Sequence, residues 1–194
     1  AFDNPIWYHD PKGDDPPSLK DIIGTGRKSS TTFSGLLKVN NITEDNFSDK
    51  LFFSKKGTFT IPKNGVIMIT QSEDIKLQVI KLTHELTNRK NLEVLKKNSS
   101  DVEQGKITPE EYAKKTALVE LEGEINQVKV AAETGFRYEG KEYDGLNKLI
   151  DDYSKDKSID LSKKLIPNPA QTKFYEEQGR QLRKNFLEIN INID

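Results

Sequence analysis

The sequence predicts an α+β fold in which a small antiparallel sheet over residues 32–70 is followed by a predominantly helical half. Three observations predict it. Short runs of β-branched and aromatic residues, punctuated by Gly57 and by Pro62-Lys63-Asn64-Gly65, fill residues 32 to 70. Beyond them come long stretches with apolar residues at helical spacing, several opened by capping residues. The 194 residues are 34% hydrophobic and 31% charged, a polar mixture that still supplies one modest core.

Residues 1–31 read as an irregular N-terminal arm and 32–194 as a single domain. Asp10-Pro11, Pro16-Pro17 and Gly24-Thr25-Gly26 interrupt any long regular element in the arm, and Ile6-Trp7-Tyr8 reads as its aromatic packing anchor. The strand-like runs are Phe33 to Val39, Leu51 to Phe53, Thr58 to Ile61 and Val66 to Ile69. The last is continuously apolar and is expected to be the most buried strand. Ser72-Glu73-Asp74 opens a helix expected over 72–98, apolar on two sides and therefore sandwiched. Thr108-Pro109-Glu110-Glu111 is a capping box with proline at the first helical position, and it starts a helix over 108–134 that Gly135 stops. Its apolar stripe takes in Ala117, Leu118, Leu121, Ile125, Val128 and Ala132. Helices over 144–153 and 170–188 flank Ile166-Pro167-Asn168-Pro169, and Ile189 to Ile193 alternates like a strand.

Charge and residue counts narrow the function classes. The 30 Lys and Arg against 31 Asp and Glu leave a net charge of −1, which removes the electrostatic basis for bulk nucleic-acid binding. No apolar stretch approaches the roughly 18 residues of a membrane span. Without cysteine there is no disulfide, thiol nucleophile or thiolate metal site. Only His9 and His84 carry imidazole, so any metal centre must draw on carboxylates or amides as well.

One segment carries a chemical pattern. In Lys81-Leu82-Thr83-His84-Glu85-Leu86-Thr87-Asn88, positions 84 and 88 share one helical face and Glu85 lies beside them. Downstream, Glu120-Leu121-Glu122-Gly123-Glu124 places Glu120 and Glu124 one turn apart. Together these resemble the His-Glu-x-x-His helix and following glutamate helix of zincin metallopeptidases, over about residues 66–124, with Asn88 where the second histidine stands. The resemblance implies zinc held by His84 and Glu120, with Asn88 or His9 at the remaining corner and Glu85 as the catalytic residue that handles water. It further implies a secreted bacterial toxin or effector domain, acting on a protein or cell-wall substrate and met by a cognate binding or immunity protein.

Two other readings stand beside it. A metal-independent glycosidase would use Glu85 as general acid, paired with Glu120 or Glu124. A non-catalytic protein-binding domain would grip its partner through the aromatic arm or the C-terminal helix. The metallopeptidase reading requires His84, Glu120 and Asn88 or His9 to converge on one open pocket. Gly24 to Ser30 lacks the Walker spacing for a phosphate loop, and the basic run near Arg180 reads as a solvated face.

Overall fold

The computed structural model describes residues 17–55, 57–71 and 74–191. Trp7, His9 and the proposed cap Ser72 lie outside the described residues. The elements run α1 (Leu19–Ser29), α2 (Thr31–Val39), β1 (Leu51–Phe53), β2 (Phe59–Thr60), β3 (Ile67–Ile69), α3 (Ile75–Lys90), α4 (Leu92–Glu103), α5 (Pro109–Thr134), α6 (Asp144–Lys155) and α7 (Pro169–Ile191). The chain is thus α+β and mostly helical, as its sequence predicts.

Two helices stand where an arm and a strand are expected. Ser18 caps α1 through a reciprocal box, its hydroxyl accepting from the Asp21 N–H at 3.2 Å while the Asp21 carboxylate accepts from the Ser18 N–H at 3.1 Å. That local signal outweighs Gly24 and Gly26, so residues 19–29 are helical where an irregular stretch is expected. The run Phe33 to Val39 is the body of α2 and not a strand. Ser30 caps it at the Phe33 N–H, 2.9 Å away, and Phe33, Leu36 and Leu37 fall on one buried helical face. At Gly26 the two helices touch, and a methyl group there would overlap the buried Phe33 ring.

The sheet is small and mixed, where an antiparallel one is expected. Its order is β1-β3-β2, with β1 parallel and β2 antiparallel to the central β3. The β2–β3 hairpin follows from the Pro62 to Gly65 turn, Gly65 taking φ 69°. Parallel pairing of β1 has no local signature, because it depends on the chain passing through β2 first. Ile67 and Ile69 of β3 are fully buried, as their apolar run predicts.

Helix α3 is the sandwiched element. Val79, Ile80, Leu82 and Leu86 are each at most 1% exposed, packed among α1, α2, β3 and α5. It is capped by Asp74, whose carboxylate accepts from the N–H groups of Lys76 and Leu77. The helix expected over 72–98 breaks in two at Asn91, which ends α3 and opens α4. Asn91 is pinned there by donating to the Glu122 carboxylate on α5 at 2.8 Å. Helix α5 keeps its predicted bounds, from the Thr108 capping box to Gly135 at φ 65°. Leu118, placed in its apolar stripe by periodicity, is instead 62% exposed. Residues 189–191 continue α7 and do not form a strand.

The two glycines of α1 predict opposite outcomes. Gly26→Ala gains about 1 kcal/mol of helix propensity but is overpacked by about 1–3 kcal/mol against Phe33, so the thermal midpoint should fall. Gly24→Ala meets nothing within 4 Å and should raise it. Thermal unfolding of both variants checks this, and a gain at position 26 would contradict the packing.

Candidate functional site

Two helices and an edge strand build the site. α3 presents His84, Glu85 and Asn88 on one face, α5 presents Glu120 opposite, and β2 brings Thr60 to the rim. All five side chains line one open cleft of about 560 Å³, closed on its far side by Tyr175 of α7. The cleft therefore brings His84, Glu85, Asn88 and Glu120 together.

Helix packing sets the geometry. The His84 ring lies over Gly123 of α5, where an added Cβ would sit 2.6 Å from Nδ1. From that seat His84 Nε2 meets Glu120 Oε2 at 2.7 Å. Burial alone would pull the His84 imidazole down. The hydrogen bond and charge of Glu120, joined by the charges of Glu85 and Glu124, outweigh burial and lift it above its ordinary value. Burial likewise works to raise Glu120, but His84, Tyr175 and Asn88 together bring it below the usual carboxylate range. The two opposite shifts describe an imidazolium–carboxylate pair.

Glu85 behaves differently. Its residue is 7% exposed, and burial pushes its carboxyl up, partly offset by the Thr60 hydroxyl, which donates to Oε2 at 2.7 Å. Burial also raises Glu124, beside the same imidazole. Asn88, on the same face of α3, adds a minor lowering influence on both Glu85 and Glu120. Its buried Oδ1 has no hydrogen-bond partner. Burial of Glu85 and the His84 contact of Glu120 thus push the two proton affinities apart.

A catalytic zinc takes three protein ligands. His84 and Glu120 stand where two would, but the third position of the pattern is Asn88, an amide in place of the imidazole, carboxylate or thiolate that zinc takes. Among the described residues no group of three His, Cys, Asp or Glu is placed to hold a metal ion. The described donors therefore do not complete a three-ligand zinc site, and His9 lies outside them.

Several site residues escape sequence reasoning. Tyr175 is 55 positions from Glu120 and carries no motif. Burial, with the charge of Glu120 beside it, pushes the Tyr175 hydroxyl well above the ordinary phenol range. Thr60 lies in a two-residue strand. Thr116, one turn before Glu120, is 4% exposed with an unpartnered hydroxyl, a feature that costs about 1–3 kcal/mol of stability. Its place at i−4 from Glu120, on the same helical face, is the one signal that could have flagged it. Comparison with family models, curated proteins and solved structures found no match.

The ion pair predicts a pH signature. The Glu120 contribution is present above its ordinary 4.5 and lost as pH falls through its lowered value. The His84 contribution is present below its ordinary 6.5 and lost as pH rises through its raised value. Glu85, raised from 4.5, also costs stability as it ionises on the way up. Thermal midpoints should therefore be highest between these ordinary values and fall on the alkaline side. His84→Gln should flatten that fall, and an unchanged slope would contradict the pairing. Gly123→Ala, by displacing the imidazole, should flatten it as well.

Proposed function

We propose that the cleft is the reaction centre of a hydrolase in which Glu85 carries the transferred proton. The observation that supports this most is a pair of carboxyls lining one cleft, Glu85 held towards its protonated form and Glu120 towards its ionised form. Environments that drive two carboxyls apart in this way assign an acid and a charge partner. Protonated Glu85 donates to the leaving group as the scissile bond breaks. The resulting carboxylate then takes a proton from the water that adds to the other fragment, so the enzyme returns to its starting state. Glu120, kept ionised and held in place by His84, faces the positive charge that develops on the reacting carbon.

The zincin-like metallopeptidase is the second reading, favoured by the convergence of positions 84, 88 and 120. The secreted bacterial toxin or effector setting, with an immunity protein as partner, belongs to the same proposal. It is tested by directing the chain to the bacterial envelope, where growth arrest relieved by Glu85→Gln is the expected result.

The direct test follows release of soluble fragments from isolated cell-wall sacculi and from a denatured protein. Glu85→Gln should lower the rate at least ~100-fold with an unchanged thermal midpoint. In the wild type the rate should fall as pH rises through the raised Glu85 value. Full activity of the variant sinks the proposal. Activity abolished by chelator and restored by zinc would instead establish the metallopeptidase, with His9 as candidate third ligand.

A further inference from the structure

Beyond the carboxyl pair the cleft continues as a second arm. Its floor is the amino-terminal half of α5, where Tyr112, Thr116 and Glu120 follow one another at four-residue spacing and span about 12 Å. α4 forms one wall and α7 the other. Lys96 and Glu103 are the charged groups that α4 contributes among the described lining residues, and their charges cancel. Apart from Glu120, which is paired with His84 at the inner end, the rest of the arm is hydroxyl, amide, aromatic and aliphatic.

We propose that this arm is a subsite for a neutral oligosaccharide, seated with one glycosidic bond at Glu85; the proposal rests on the hydrolase reading above. Four features of the arm argue for sugar. The walls of this arm are helices, whose N–H and C=O groups are already used within each helix, so the backbone pairing that edge strand β2 offers a peptide at the Thr60 rim does not extend along it. Recognition must therefore come from side chains. The Thr116 hydroxyl is buried, unpartnered and beside the arm, and Asn88 Oδ1 is a second buried atom without a partner, an acceptor at the junction with the carboxyl pair. A sugar hydroxyl donates and accepts at once and satisfies either atom. Tyr112 donates to the Gln178 side-chain oxygen at 2.9 Å, which holds its ring and that amide in fixed positions on the lining. An aromatic face beside fixed amide and hydroxyl groups matches the alternation of C–H faces and hydroxyl edges on a pyranose ring. The balanced charge disfavours phosphorylated or strongly acidic ligands.

The test measures binding of two probes, the β-1,4-linked tetramers of N-acetylglucosamine and of glucose, to the full chain carrying Glu85→Gln, so that binding is read without turnover. At least one tetramer should bind, and a neutral tetrapeptide should bind more weakly. Adding Thr116→Val should weaken that tetramer roughly fivefold or more, the worth of one hydrogen bond. The same substitution removes an unsatisfied buried hydroxyl, so it should raise the thermal midpoint by a few degrees. A merely structural threonine would not move affinity and stability in opposite directions. If Thr116→Val misfolds, Tyr112→Phe, which breaks the bond to Gln178, takes its place and should weaken binding likewise. Binding of neither tetramer, tighter binding of the peptide, or an affinity indifferent to the folded variant overturns the subsite. A wild-type chain that binds a tetramer with this Thr116 dependence and leaves it uncleaved supports the subsite while overturning the hydrolase reading.

Discussion

The close approach of α3 and α5 at Gly123 is the constraint on which the site depends. A single missing side chain on α5 makes room for the His84 imidazole, and the seated ring carries its Nε2 to Glu120 three residues earlier on the same helix. The ionised state of Glu120 follows from that contact. Glu85, next to His84 on α3, holds its proton more tightly because burial depletes the water around it, while the Thr60 hydroxyl and the His84 charge work against that rise. The charge state of the His84–Glu120 pair therefore begins with the packing of two helices.

That packing is secured far from the cleft. Along α3 the buried Thr83 and Thr87 return their hydroxyls to the carbonyls of Val79 and Thr83, and α5 answers with Asn126 donating to the Thr87 hydroxyl. From α2, Asn40 reaches the Leu86 carbonyl at 2.9 Å, one residue from Glu85. At the end of α5, the Glu133 carboxylate accepts from the Ser30, Thr31 and Thr32 side chains and from the Thr32 N–H at the start of α2. A carboxylate at a helix start meets unpaired N–H groups and the positive end of the helix dipole. These bonds lock α2, α3 and α5 in register, so a polar composition still yields a specific core. Their cost is small because every partner is internal to the same three helices.

Much of the fold was legible because its signals are local. Thr108-Pro109-Glu110-Glu111 states a helix start in four residues, and Gly135 states its end. The Pro62 to Gly65 turn implies the β2–β3 hairpin, and the apolar Val66 to Ile69 implies the buried central strand. Ser18-Leu19-Lys20-Asp21 states a start just as clearly, but neighbouring prolines and glycines mask it. Phe33 to Val39 misleads because β-branched and aromatic residues suit a strand until Ser30 caps a helix there. The break at Asn91 is invisible along the chain, since the groups that hold it there belong to α5.

The sequence by itself determined that any imidazole-based site must use His84 or His9 and draw on carboxylates or amides as well, because the chain has two histidines and no cysteine. It also determined that Glu120 could stand opposite, since a capped helix of that length places it at a predictable turn. Only the tertiary structure decided that β1 pairs parallel, that Tyr175 and Thr60 join the site, and that Glu85 and Glu120 differ in proton affinity. Those outcomes depend on burial and on contacts between residues tens of positions apart. Periodicity and capping, which act over a few residues, do not encode them.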